Sequence, residues 1–157
     1  MNIINKKRLI VAFMVLLILT NFYQFIKITN YKKLTERNDN EFRYTLVMIY
    51  NSIESIEEKR HDEIVDMAAL SSAIGQSYAI YNSTSYYSKN KLLHETLRIL
   101  NDNISNRTNI QEVLDENDLN ILNPLIKKVK DNPLDNEATE ELLYLVRKHT
   151  VIGSPLP

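Results

Sequence analysis

The sequence predicts an all-α protein, with an N-terminal transmembrane helix followed by an antiparallel bundle of about four helices. Three observations carry this. The 157 residues include only two glycines, Gly75 and Gly153, which excludes Gly-rich phosphate loops and most tight hairpin turns. No stretch alternates apolar and polar residues with the period of a half-buried strand; beyond residue 28 the apolar side chains recur at spacings of three and four. Between Arg8 and Lys27, the residues from Leu9 to Ile26 carry no charge.

The first elements are a basic leader, residues 1–8, and a signal anchor, residues 9–27. At about 1.5 Å per residue the uncharged run covers about 27 Å, slightly less than a hydrocarbon core of roughly 30 Å. Arg8 and Lys27 can snorkel to close the gap, and Lys6, Lys7, Lys32 and Lys33 complete the membrane-flanking set. Phe22, Tyr23 and Phe25 fall at the far interface, where aromatic rings are favoured. A cleaved signal peptide competes with this reading, since Leu9–Leu19 is a short apolar core behind a positive leader. Thr20–Ile26, however, is bulky where a peptidase needs small residues. A buried helix of a soluble protein is disfavoured because the run is long and not amphipathic. Three basic residues precede the span and four follow it (Lys27, Lys32, Lys33, Arg37). The count does not orient the span, but a short leader before a large domain commonly exports that domain. The expectation is therefore a single-pass cell-membrane protein with a cytoplasmic N-terminus and an extracytoplasmic body.

Charge divides at the same place. Residues 1–37 hold seven positive side chains against one negative, a net of +6; the remainder holds 12 against 19, a net of −7. An acidic body offers nucleic acid no attraction. The absence of cysteine excludes disulfide scaffolds, thiolate zinc sites and cysteine nucleophiles. An excess of Asn and Ile, whose codons are rich in A and T, points to a low-GC bacterial genome, where the sequons Asn82-Ser83-Thr84, Asn103-Ile104-Ser105 and Asn106-Arg107-Thr108 carry no glycan.

Residues 28–40 form a juxtamembrane helix or linker with Ile28, Tyr31 and Thr35 on one face, and residues 41–151 form the bundle. Asn38-Asp39-Asn40 is a candidate break, with Asn40 capping a new helix; alternatively the anchor helix runs straight through. Phe42, Leu46, Ile49, Ile53 and Ile56 continue the helical face. A second helix is expected over residues 62–81, its face formed by Ile64, Met67, Leu70 or Ser71, Ile74, Tyr78 and Tyr81, with Ala68, Ala69 and Ala73 allowing close approach and Gly75 either weakening the helix locally or marking a tight crossing. Asn82-Ser83-Thr84-Ser85 breaks it, Ser85 or Ser88 being available as the next cap. A third helix, 86–104, carries Leu93, Leu97, Leu100 and Ile104 on its stripe. Thr108–Gln111 has the spacing of a capping box. Asn123-Pro124 and Asn132-Pro133 each suggest a helix start, giving helices over 124–130 and 133–150, the latter burying Ala138, Leu142, Leu145 and Val146. Residues 152–157 are an extended tail.

Candidate sites are few. Glu58 and His61 have the spacing that sets two metal ligands on one helical face, but the second Glu-x-x-His of a di-metal bundle is missing, and the run reads as a solvated helix end. Ser71, Ser72 and Ser77 lack a nucleophile elbow. His94 is a packed or surface residue, and His149 complements the dipole of the last helix. Tyr78, Tyr81, Tyr86 and Tyr87 converge around the 82–85 turn, where they either cover a core end or bind a partner. No cofactor, metal ligand or catalytic residue is assigned. The function expected is a membrane-anchored, non-enzymatic module that binds or regulates a protein partner at the cell envelope. An extracytoplasmic small-ligand sensor acting through a partner is the alternative, and a metal-dependent enzyme at Glu58 and His61 the least supported.

Overall fold

The computed structural model describes the backbone of residues 3–105 and 116–148 and the side chains of residues 10–105 and 120–148. Every regular element in it is a helix: α1 (Ile3–Glu58), α2 (Glu63–Tyr81), α3 (Lys91–Ile104), α4 (Glu116–Asp131) and α5 (Asn136–Lys148). The Thr108–Gln111 capping box, His149 and the 152–157 tail lie outside the described residues. The chain divides into two compact units, Met1–Glu36 and Arg37–Pro157.

The first unit is helical from Ile3 onward, and its apolar side chains from Ile10 to Ile26 are all exposed. Among the described residues this is the one helix long and apolar enough to cross a membrane. The hydroxyls of Thr20, Thr29 and Thr35 each donate to the carbonyl four residues back, so they need no outside partner.

In the second unit α1 continues without interruption through Asn38-Asp39-Asn40, the second of the two arrangements the sequence allows. The side chains that normally favour a break are used elsewhere. Asn38 donates to the Ser83 carbonyl, and the Asp39 carboxylate accepts from the backbone N–H and hydroxyl of Ser85. Beyond them Phe42, Leu46, Ile49 and Ile53 enter the core. At its end Lys59 takes a left-handed φ of 52°. Its N–H bonds to Ile56 O while the N–H of Arg60 reaches Ser55 O, the paired bonds of a Schellman C-cap.

Side-chain pairs fix the packing directions. As the α1 partner steps down from Ser55 to Thr45, Phe42 and Asp39, its partner steps up from Asp66 to Ser77, Tyr81 and Ser85. The two segments therefore run antiparallel. The same logic sets α2 against α3 (Gly75 with Asn101, Tyr78 with His94) and α1 against α4 (Glu57 with Asn123, Tyr50 with Lys130). α3 and α5 run parallel, since Asn90 meets Thr139 and Glu95 meets Arg147. Consecutive helices thus alternate in direction around one shared core, with contacts α2–α3, α3–α5 and α4–α5.

Four expectations need correction. Helix α3 begins at Lys91 rather than Tyr86, because Asn90, and neither serine, caps it by accepting from Leu93 N–H. Pro124 lies inside α4 instead of starting a helix; Asn123 spends its amide on Glu57, and the exposed Asn120 can give its unpaired carbonyl to water. Pro133 precedes α5 by a turn, and Asp135 caps it through Ala138 N–H. On α2, Ile64 is exposed and Tyr78 only partly covered. Asp66, Ala73 and Ser77 face inward because Asp66 and Ser77 bond to hydroxyls of α1. Of the two readings of Gly75, the structure shows the close crossing: a β-carbon there would stand 3.3 Å from Asn101 Oδ1.

Two outcomes follow from the caps. Lys59→Gly relieves a left-handed lysine and is expected to raise unfolding stability by about 0.5–1 kcal/mol in a denaturant titration; an unchanged or lower midpoint contradicts the Schellman assignment. Asn90→Ala is expected to cost on the order of 3 kcal/mol, since it removes a cap and strands two buried acceptors.

Candidate functional site

The basic side chains flanking the apolar run all lie on α1. Lys6, Lys7 and Arg8 sit in its first turns, and Lys27, Lys32 and Lys33 are exposed further along. Helical geometry spreads the last three around the helix, which suits anchoring to headgroups better than clamping one ligand.

The four tyrosines do converge, and most of their surface is spent on the core. Tyr81 is fully buried, packs its ring at a tilt against Phe42 at 4.9 Å between centroids, and donates its hydroxyl to Asn90 O at 2.6 Å. Tyr86 is nearly buried and its hydroxyl accepts from Arg43 Nε at 2.7 Å. Tyr78 and Tyr87 are partly covered and sandwich His94, one stacked at 5.1 Å and the other edge-on at 5.5 Å. His94 is therefore a packed residue, and its Nε2 is buried without a hydrogen-bond partner. For partner binding, Tyr81 has no surface to offer and Tyr86 almost none. Only Tyr78 and Tyr87 retain an accessible edge.

Glu58 and His61 are not brought onto one helical face. Glu58 is the last residue of α1 and pairs with Arg60; His61 follows the left-handed turn at Lys59. Among the described residues no group of three or more His, Asp or Glu side chains could hold a metal ion. His61 instead joins a cluster that its sequence spacing does not announce. Its Nδ1 lies 2.9 Å from Ser55 Oγ and 3.2 Å from Asp66 Oδ1, and Ser55 Oγ donates to the Asp66 carboxylate at 2.9 Å. The residue types are those of a hydrolase triad, but the geometry is not. One ring nitrogen serves both partners, and Ser55 is buried, so no relay from a base to an exposed nucleophile exists. The cluster closes the α1–α2 hairpin. Ser71 and Ser72 stay on the outer part of α2, while buried Ser77 donates to Thr45 Oγ1.

The fold also creates a surface feature that no motif announces. Every exposed residue of α2 from Ile64 to Ala79 is uncharged: Ile64, Val65, Ala68, Ala69, Ser72, Gln76 and Ala79. The signal is present in the sequence, because Asp66 is the sole charge between Ile64 and Tyr81, and the fold buries it. In contrast, the exposed faces of α4 and α5 carry Lys127, Lys128, Glu140 and Glu141.

Burial pushes the Tyr81 phenol well above the ordinary tyrosine value. The native state then keeps a neutral phenol where the unfolded chain ionises it, so this stabilisation is whole below about pH 10 and drains away as pH rises further. Tyr81→Phe is expected to lose about 1 kcal/mol near neutrality, when Asn90 O gives up its buried donor. The same variant should lose less melting temperature than the native chain between about pH 10 and pH 11; parallel alkaline curves would contradict the assignment.

In comparisons with known proteins, no family model, no curated protein and no solved structure matches this chain.

Proposed function

We propose that this chain is a single-span, membrane-anchored helical module that binds or regulates a protein partner at the cell envelope, with its N-terminus cytoplasmic and its body outside. One observation carries the reading: from Ile10 to Ile26 the large apolar side chains of α1 are exposed among the described residues. In water each such side chain costs about 1.5–3 kcal/mol relative to a buried one, a penalty that a lipid environment removes. The uncharged outer face of α2 supports the partner. On a body of net negative charge, an exposed face free of charge from Ile64 to Ala79 suits desolvation against another protein.

The anchor is tested by alkaline extraction of membranes carrying the full chain; it should stay with the lipid, and release into the supernatant overturns the span. Orientation is tested with Ser83→Cys, an exposed position in a chain with no other cysteine. A membrane-impermeant thiol reagent is expected to label it in intact cells, whereas labelling only after lysis reverses the topology. A photo-crosslinking residue at Ser72 should give a discrete adduct, and one at Lys127 on α4 should not. Equal labelling from both positions overturns the α2 face as the docking surface.

A further inference from the structure

We propose that two copies of this chain pair in parallel along the first helix, through a seam formed by Leu17, Asn21, Gln24, Ile28, Tyr31 and Thr35. The proposal rests on the membrane-span reading of the same helix. These positions are separated by four, three, four, three and four residues, the repeat that keeps one helical stripe facing a partner helix as the two supercoil. Leu17, Ile28 and Tyr31 are 46%, 56% and 71% exposed, so no described residue covers them. Lys33 and Glu36 lie on the opposite side of the helix.

The polar members identify the occupant. Thr35 satisfies its hydroxyl on Tyr31 O at 3.0 Å. The amides of Asn21 and Gln24 are exposed and have no hydrogen-bond partner among the described residues. Asn21 lies about 9 Å along the helix inside Lys27, at hydrocarbon depth on the span reading, where an unmet amide is costly. Each amide carries both donors and an acceptor, so Asn21 opposite Asn21 satisfies both copies with one side-chain type. Two copies inserted in the same direction bring these residues level without any adjustment, and membrane confinement raises their effective concentration. A buried asparagine at one seam position also fixes register and favours two strands.

Beyond the span, Ile28 and Tyr31 extend the same stripe and add apolar area to the contact. Lys27 and Lys32 flank the seam and face each other across the pair, so anionic headgroups at that level relieve their repulsion.

The absence of native cysteine gives a direct test. Full-length chains with single substitutions Ile28→Cys and Tyr31→Cys on the seam, or Asn30→Cys and Lys33→Cys off it, are reconstituted into phosphatidylcholine vesicles containing phosphatidylglycerol. Flotation is checked, and the samples are mildly oxidised. All four should float, with disulfide-linked dimer several-fold more abundant for the seam positions. Adding Asn21→Leu and Gln24→Leu to the Ile28→Cys chain should cut its dimer yield several-fold, without loss of flotation because the span becomes more apolar. Chains that float but cross-link equally at all four positions, or not at all, overturn the seam and leave the anchor standing. Unaltered cross-linking after the double leucine change also overturns it, by showing that the amides do not hold the pair. Chains that fail to float overturn the span itself.

Discussion

Asn90 satisfies every polar atom it has within the protein, and the body is organised around that residue. Its N–H bonds to Tyr86 O, and its carbonyl accepts the buried Tyr81 hydroxyl from the end of α2. Its side-chain oxygen caps α3 at Leu93, while its amide nitrogen donates to Pro133 O in the α4–α5 turn and to Thr139 Oγ1 on α5. One buried residue thus ties the end of α2 through its backbone carbonyl, and through its side chain sets where α3 starts and how α5 lies beside α3. In a low-dielectric interior such a network is stable only when complete, which makes the arrangement specific as well as strong. The parallel packing of α3 and α5 depends on it, because no short connection between those helices could impose the direction.

The two units show what different surroundings ask of one helix. From Ile10 to Ile26 the apolar side chains are exposed all round, whereas from Phe42 to Ile53 the buried ones, Phe42, Leu46, Ile49 and Ile53, form one inward stripe and only Tyr44 and Val47 stay exposed. Nothing in the backbone distinguishes the halves. What changes is the arrangement of charge: none across the first segment, then Glu41, Arg43, Glu57 and Glu58 on the exposed side of the second. Hydrophobic pattern, rather than helix propensity, separates them.

Much of the fold is legible in the sequence for that reason. The three-and-four spacing of Leu93, Leu97, Leu100 and Ile104 defines the α3 stripe, and Asp62, at the expected start of α2, is its cap and accepts from Ile64 N–H. The positions where spacing misleads share a cause. Asn38, Asp39, Asn90 and Asn123 are residues whose short polar side chains suit caps, turns and tertiary hydrogen bonds alike, and sequence spacing cannot rank those uses. Apolarity alone points Ile64 inward, whereas hydroxyls on α1 draw Asp66 and Ser77 in and rotate the helix. Of the candidate site, the tyrosine convergence is visible from spacing, but the Ser55–His61–Asp66 cluster spans a hairpin and needs the register of α1 against α2. The uncharged face of α2 is written in the composition of one segment, and only burial of Asp66 turns it into a surface.

The connection from Asn82 to Asn90 is the longest non-helical stretch among the described residues, and it is held closely. Asn38 and Asp39 grip it at Ser83 and Ser85, Arg43 holds Tyr86, and its own turns bond Thr84, Lys89 and Asn90 back to Tyr81 and Tyr86. A protease needs an extended, accessible backbone, which this segment does not present while those bonds last. Cleavage there would require opening that also frees Tyr81 and the start of α3. The loop is then lost to digestion with the body as a whole and not ahead of it, so its nicking would report global unfolding.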